Sequence, residues 1–149
     1  RRMLGSIQFD FVPHITVVQF DTVVPPEALV SHVASLQGLV TSAQAQGVNF
    51  VPSPSNNDVW IEVLINKTAA FMDLQRQIVS HSYFDSVTLR HQIGEASRPH
   101  ITIGHVSMTE LDSISLDIDR ALVHQTFQNL ELVVAINGQH FTVAEVIRK

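Results

Sequence analysis

The tetrapeptide Pro13-His-Ile-Thr16 is repeated 86 positions later as Pro99-His-Ile-Thr102. The flanking stretches, Phe11 to Val18 and Ser97 to Gly104, are rich in β-branched residues, which favours strands. A bare His-x-Thr is expected by chance about once in two chains of this composition, but a second copy of the whole tetrapeptide has a chance probability of roughly one in a thousand. The repeat therefore predicts two related strands that contribute to one functional site.

Alternation along a strand sets the orientation of the repeated residues. Side chains two apart point to the same side, so His14 aligns with Thr16 and His100 with Thr102. Ile15 and its counterpart in the second copy then face the core. If the two strands lie side by side, two imidazoles and two hydroxyls line one groove suited to a phosphate. The alternative is that both histidines are half-buried strand residues bonded to their neighbours.

These residue types suit acid–base chemistry on a phosphodiester. Imidazole has an unperturbed pKa of about 6.5, so a neutral histidine can take a proton while a protonated one gives a proton to the leaving oxygen. The threonine hydroxyls can donate hydrogen bonds to non-bridging phosphate oxygens. We therefore interpret His14 and His100 as a catalytic pair and Thr16 and Thr102 as phosphate-binding residues.

The rest of the chain indicates mixed helices and antiparallel strands, which favours the α+β class. Proline at position 13 interrupts an opening strand region over Ile7 to Phe20. Helical spacing of apolar residues predicts a first helix over Ala28 to Gln46, ended by Gly47. The remaining predicted elements are strands at Val48 to Val51, Val59 to Ile65 and Pro99 to Val106, a helix over Thr68 to Ser80 capped by Asn66, a loop over Ser82 to Ser97, a helix capped by Thr109 and carrying Leu111, Ile114, Ile118 and Leu122, and a hairpin with an Asn137-Gly138 turn between Leu130 to Ile136 and His140 to Ile147.

Composition limits the class of protein. A chain of 149 residues, 45% hydrophobic and 15% charged, fits one globular domain, and we predict a single domain over residues 1–149. It has no cysteine, no apolar run long enough to span a bilayer and no His-Glu-x-x-His motif, so we expect a monomeric cytoplasmic protein without membrane, metal or cofactor. The first residue is not methionine, which leaves an N-terminally excised or truncated chain open. The net charge of −5 disfavours a protein that follows a long nucleic acid backbone, but allows a short nucleotide.

The paired motifs, together with the segment Val59 to His81 between them, resemble the two-histidine (2H) phosphoesterases over nearly the whole chain. The resemblance implies a two-lobed, pseudo-symmetric fold with antiparallel sheets around a central groove, helices outside, and one His-x-Thr motif from each lobe. It also implies a metal-independent hydrolase of 2′-linked phosphodiesters, similar to RNA 2′,5′-ligase-like enzymes and 2′,5′-phosphodiesterases. The expected substrates are 2′,5′-linked oligonucleotides such as 2′,5′-oligoadenylate, other short RNA, or 2′,3′-cyclic phosphates.

Other candidate residues carry weaker signals. Arg98 precedes His100 by two positions and is a third candidate for phosphate binding. We predict that the aromatic residues Trp60, Tyr83 and Phe84 belong to the core rather than to a base-stacking site. Counted by simple alternation, His105 falls on the strand face opposite to His100, and we interpret it as unrelated to the site.

Three alternatives to a 2′,5′-phosphodiesterase stay open at this point. A cyclic phosphodiesterase acting on small nucleotides, including ADP-ribose cyclic phosphate, needs the same four motif residues. A catalytically inactive nucleotide- or RNA-binding module would keep the binding groove but would not turn over its ligand. A protein-interaction domain without any ligand predicts no response to phosphate or nucleotide.

Overall fold

The structure is a computed structural model that describes residues 13–54, 56–112, 120–137 and 143–147. The described residues form two compact units: the first contains Pro13 to Ile15, Gln44–Asn66 and Pro99–Phe127, and the second contains Thr16–Ala43, Lys67–Arg98 and the described residues from Gln128 onward. In chain order the described strands are β1 (Phe20–Asp21), β2 (Ser42–Pro52), β3 (Asp58–Ile65), β4 (Thr88–Leu89), β5 (His100–Ser107), β6 (Thr126–Gln128), β7 (Val134–Asn137) and β8 (Val143–Ile147). The described helices are α1 (Val30–Ser35), α2 (Ala69–Val79) and three short 3₁₀ helices at Pro26–Leu29, Ser82–Ser86 and Gly94–Ala96. Residues 111–112 and 120–122, at the two ends of the helix predicted after Thr109, are also helical. Helices and antiparallel sheets occur together, which confirms the α+β class.

A four-stranded sheet forms the centre of the first unit. Its order is β5-β3-β2-β6, and β3 pairs antiparallel with both β2 and β5. The predicted strand Val59 to Ile65 is confirmed as β3, where Val59, Ile61 and Val63 are almost completely buried. Apolar residues along one face of β3 explain this burial, because that face packs on a core cluster with Val106.

The predicted helix over Ala28 to Gln46 is wrong in its second half. Only Val30–Ser35 forms an α-helix, and Gly38 follows in the left-handed region with φ of 87°. Glycine adopts that conformation without the steric cost of a Cβ atom, so the chain turns there. Residues from Ser42 onward form β2, because alternate residues of this stretch are buried and exposed.

A β-bulge interrupts the pairing of β5 with β3. Ile61 pairs with Gly104, whereas the next residue, Glu62, pairs with Thr102, so Ile103 has no opposite residue on β3. A bulge of this kind inserts one residue and shifts the alternation of side chains beyond it. The predicted strand Pro99 to Val106 is otherwise confirmed as β5.

The second unit holds α1 and α2 and packs its own core. Helix α2 confirms the helix predicted over Thr68 to Ser80, but the N-terminal cap is Thr68, whose hydroxyl accepts a hydrogen bond from the Phe71 amide, and not Asn66. Gln75 on this helix is 2% exposed, and its amide donates to the Val17 carbonyl and accepts from the Gly94 amide. A buried amide that meets two backbone groups leaves neither of them unsatisfied.

The C-terminal hairpin exists but does not use the predicted two-residue turn. Strands β7 and β8 pair antiparallel, with Asn137 opposite Val143, so five residues separate the paired positions. A two-residue Asn-Gly turn would instead place paired residues directly on either side of it. Gly138 and His140 lie outside the described residues, as do Ile114 and Ile118 of the predicted helix after Thr109 and the part of the opening strand before Pro13.

The segment Ser82 to Ser97, predicted as a loop, contains the second and third 3₁₀ helices and the two residues of β4, which pair with β1. Among the described residues, no helix combines the length and the apolar character needed to cross a membrane.

Candidate active site

The two repeated tetrapeptides are joined by one bridge, between residues of the first unit. Ile15 forms an antiparallel bridge with Ile101, on the edge of β5 that β3 does not occupy. Proline precedes histidine in both copies and lacks an amide hydrogen, so it suits the margin of a paired segment. The carbonyl of Pro99 still accepts a hydrogen bond from the Ile65 amide, which ties the start of β5 to the end of β3.

The bridge fixes the side of the sheet on which the histidines lie. With Ile15 opposite Ile101 in an antiparallel register, His14 stands opposite Thr102, and residues directly opposite each other point to the same side. Thr102 shares that side with His100, two residues earlier on the same strand. His14, His100 and Thr102 therefore project from one face, and the two isoleucines project from the other.

The register also sets the spacing of the two imidazoles. His14 and His100 occupy diagonal positions on neighbouring strands. The Cα atoms of such diagonal neighbours are about 7–8 Å apart. That separation leaves room for one phosphate group between two imidazole rings that lean toward it. About a third of the His100 side chain is exposed, and His14 is half-buried, so neither ring is sealed from solvent.

Glu62 adds a carboxylate beside His100. Its Oε1 atom lies 3.6 Å from His100 Nε2, while the Glu62 side chain is only about 10% exposed. Glu62 reaches this position because it pairs with Thr102 across β3 and β5, on the same face of the sheet as His100. A carboxylate held against one nitrogen of an imidazole orients the ring.

Glu62 was missed in the sequence, although a signal was present. It is the one charged residue within the apolar run Val59 to Ile65, and a charge in a strand that reads as buried needs a partner. The identity of that partner depends on pairing between strands about 40 residues apart along the chain. No pattern local to Glu62 identifies His100.

Two predicted phosphate-binding residues fall in the second unit. Thr16 directly follows the bridge residue Ile15 and is half-buried, and Arg98 is exposed at the end of the segment before β5. Both histidines and Thr102 belong to the first unit. Thr16 and Arg98 therefore belong to a different compact unit from the two histidines.

The prediction that His105 faces away from His100 is wrong. Simple alternation separates positions 100 and 105, but the extra residue Ile103 in the bulge shifts the alternation by one. His105 pairs with Trp60 and His100 pairs with Leu64, and both partners lie on the same face of β3 because they are four residues apart. His105 and His100 therefore share one face of β5.

The aromatic residues divide between core and site face. Tyr83 is buried and Phe84 packs against the same cluster, which confirms the core prediction for both. Trp60 departs from it, because this residue is half-buried on the face of β3 that carries Glu62, opposite to the face with Ile61. Its indole lies against the His105 ring, with 5.0 Å between ring centroids.

Within the described ranges, no group of three or more histidine, aspartate or glutamate side chains is placed to hold a metal ion. No protein-family model matches the chain, and no curated protein matches it significantly.

Proposed function

We propose that this chain is a metal-independent phosphodiesterase of the two-histidine type that cleaves 2′-linked phosphodiesters in short oligonucleotides. The observation that carries the proposal is the antiparallel bridge between Ile15 and Ile101, which brings two distant copies of one tetrapeptide into register. A register shifted by many residues would separate His14 from His100. Acid–base catalysis needs these two imidazoles on one side of the sheet, a phosphate's width apart.

The proposed reaction divides proton transfer between the histidines. One imidazole takes the proton from the 3′ hydroxyl next to a 2′,5′ bond, and the 3′ oxygen attacks phosphorus. The bond from phosphorus to the 5′ oxygen breaks, and the second, protonated imidazole gives that oxygen its proton. The products are a 2′,3′-cyclic phosphate and a free 5′ hydroxyl, and water attacks the cyclic phosphate in the same manner when it is the substrate.

Thr102 and Glu62 support the two histidines in this proposal. Thr102 stands opposite His14 and can donate its hydroxyl hydrogen to a non-bridging oxygen, where negative charge grows in the transition state. Glu62 is a positioning residue that acts through His100. Phosphate contacts from Thr16 and Arg98, the two-lobed 2H fold and a cytoplasmic location remain predictions from the motifs and composition.

The decisive experiment compares bonds of different linkage. Purified protein is incubated without metal against matched 2′,5′- and 3′,5′-linked oligoadenylates and a 2′,3′-cyclic nucleotide, and products are identified by mass spectrometry. We expect cleavage of the 2′,5′ linkage with the 3′,5′ isomer left intact. Turnover of the cyclic nucleotide alone would favour the small-nucleotide cyclic phosphodiesterase instead.

Substitution of either histidine tests the mechanism. His14→Ala and His100→Ala are each expected to lower kcat by roughly 10²- to 10⁴-fold, the contribution of a positioned acid or base. His124→Asn is the matched control, because this exposed histidine precedes β6, at the opposite edge of the sheet from β5, and asparagine tolerates its φ of 68°. Near-wild-type rates in both alanine variants, with unchanged thermal melting, would remove the proposal.

A further inference from the structure

We propose that Trp60, supported by His105, is a stacking site for a nucleobase of the substrate, beside the histidine pair on the same sheet face. The inference deepens the proposed function, because it depends on that function for the identity of the ligand as a nucleotide. It assigns a binding role to two residues whose sequence context predicts core or unrelated positions.

The bulge in β5 creates the alignment. Trp60 and Glu62 are two apart on β3, so they share a face, and their partners across the strand gap are His105 and Thr102. With Ile103 left out of the pairing, these four residues form two neighbouring cross-strand pairs on one face, and the Ile61–Gly104 pair between them faces the other way. Regular alternation along β5 would instead have turned His105 to the side of the buried cluster with Val106.

Contacts around Trp60 hold its ring without covering it completely. The His105 ring meets the indole at an interplanar angle of 55°, and His105 Nδ1 lies 3.3 Å from Asp58 Oδ2. The His105 side chain is only 14% exposed, so Asp58 and Trp60 fix it in place, whereas Trp60 keeps part of its surface in solvent. A half-buried indole with a fixed neighbour loses little freedom when a second ring stacks on it.

Spacing along the strand matches one nucleotide. Residues two apart on a strand are about 6.7 Å apart along it. Trp60 therefore lies about that far along the strand from Glu62 and its cross-strand partner Thr102. A ribose spans a similar distance between its phosphate and its base. A phosphate held between His14 and His100 would therefore bring the base of the same nucleotide, or of its neighbour, to Trp60. Every base has a π-face, so stacking here favours substrates with bases without selecting one sequence.

Intrinsic fluorescence reports directly on this site, because Trp60 is the only tryptophan in the chain. The full wild-type chain is titrated with adenosine 2′-monophosphate, ribose 5-phosphate and inorganic phosphate, none of which contains a phosphodiester bond to cleave, with excitation selective for tryptophan. We expect saturable quenching by the adenosine nucleotide and little change with the two ligands that lack a base. No quenching by the nucleotide, or equal quenching by ribose 5-phosphate, would overturn the stacking site.

A matched pair of variants tests the same site by selectivity. Trp60→Phe keeps an aromatic ring and Trp60→Leu removes it. The measured quantity is kcat/KM for a 2′,5′-linked adenylate dimer divided by kcat/KM for ribose 2′,3′-cyclic phosphate. We expect the leucine variant to lower this ratio by about 5- to 150-fold and the phenylalanine variant to lower it far less.

The two readouts separate failure of this inference from failure of the proposed function. If the wild-type chain turns over none of the substrates, the proposed function fails, and the fluorescence titration still decides whether a base stacks on Trp60. If the chain cleaves the dimer and both Trp60 variants keep the wild-type ratio, the catalytic proposal stands and the stacking site is overturned.

Discussion

Replacing Glu62 by glutamine removes a negative charge beside His100 and changes almost nothing else. The two side chains have nearly the same shape, and the carboxylate of Glu62 is 3.6 Å from His100 Nε2. In either proposed role the His100 ring carries the transferred proton at one stage of the reaction, and the Glu62 charge attracts the positive charge present at that stage. Loss of that charge therefore raises the barrier in either role.

Coulomb's law gives the size of the effect. At 3.6 Å two unit charges interact by about 5 kcal/mol at an effective dielectric constant near 20, and by about 1 kcal/mol in bulk water. His100 is about one-third exposed and solvent screens the pair, so a value of about 1 to 2 kcal/mol applies. That corresponds to a decrease in kcat/KM of roughly 5- to 30-fold for Glu62→Gln.

A double-mutant cycle with steady-state kinetics checks whether Glu62 acts through His100. In the His100→Ala background, Glu62→Gln should cost little further activity, because the group that the carboxylate stabilises is gone. Glu145→Gln, on the exposed part of β8, is the matched control. Equal losses in the wild-type and His100→Ala backgrounds would refute the reasoning and assign Glu62 a purely structural role.

Three further predictions concern the phosphate contact, the second unit and metal dependence. Thr102→Val should lower kcat by about 10- to 100-fold while Thr102→Ser recovers most of it, since only the hydroxyl donor matters; equal rates for the two variants would contradict this. Gln75→Ala leaves the Val17 carbonyl and the Gly94 amide without their buried partner. We therefore expect the free energy of unfolding to fall by about 2–4 kcal/mol, seen as a decrease in Tm of roughly 5–15 °C. The control Gln77→Ala changes an exposed residue of the same helix and should melt like wild type. Excess chelator should leave turnover unchanged, and a large loss that added divalent metal reverses would exclude the metal-independent mechanism.

Local signals in the sequence were sufficient for several elements. Strand β3 and helix α2 follow from alternation and helical spacing, respectively, within single segments. The extent of the first helix failed because the apolar spacing of Leu29, Val33 and Leu36 runs into the alternation of Ala43 and Ala45. The small or apolar residues of the helical pattern and of the strand pattern together fit the spacing of one long helix. The left-handed turn at Gly38 is what separates the helix from the strand.

The site was harder to predict because its remaining parts depend on pairing between distant strands. The repeat identifies His14 and His100, yet the contact of Glu62 with His100 needs the register of β3 against β5. The side on which His105 lies needs the bulge, and the inserted Ile103 resembles any other strand residue. The sequence therefore predicts the repeated residues His14 and His100, but it contains no local signal for the placement of Glu62 and His105 beside them.

The inserted residue in β5 also shows how this chain could lose a residue and keep the site. Ile103 has no opposite residue on β3, so its deletion would leave the pairs Trp60–His105 and Glu62–Thr102 in place. The two histidines of β5 would then be four residues apart, and strict alternation would still put both on one face. Homologous chains that keep both histidines on one face should therefore have them either five residues apart with a bulge or four residues apart without one.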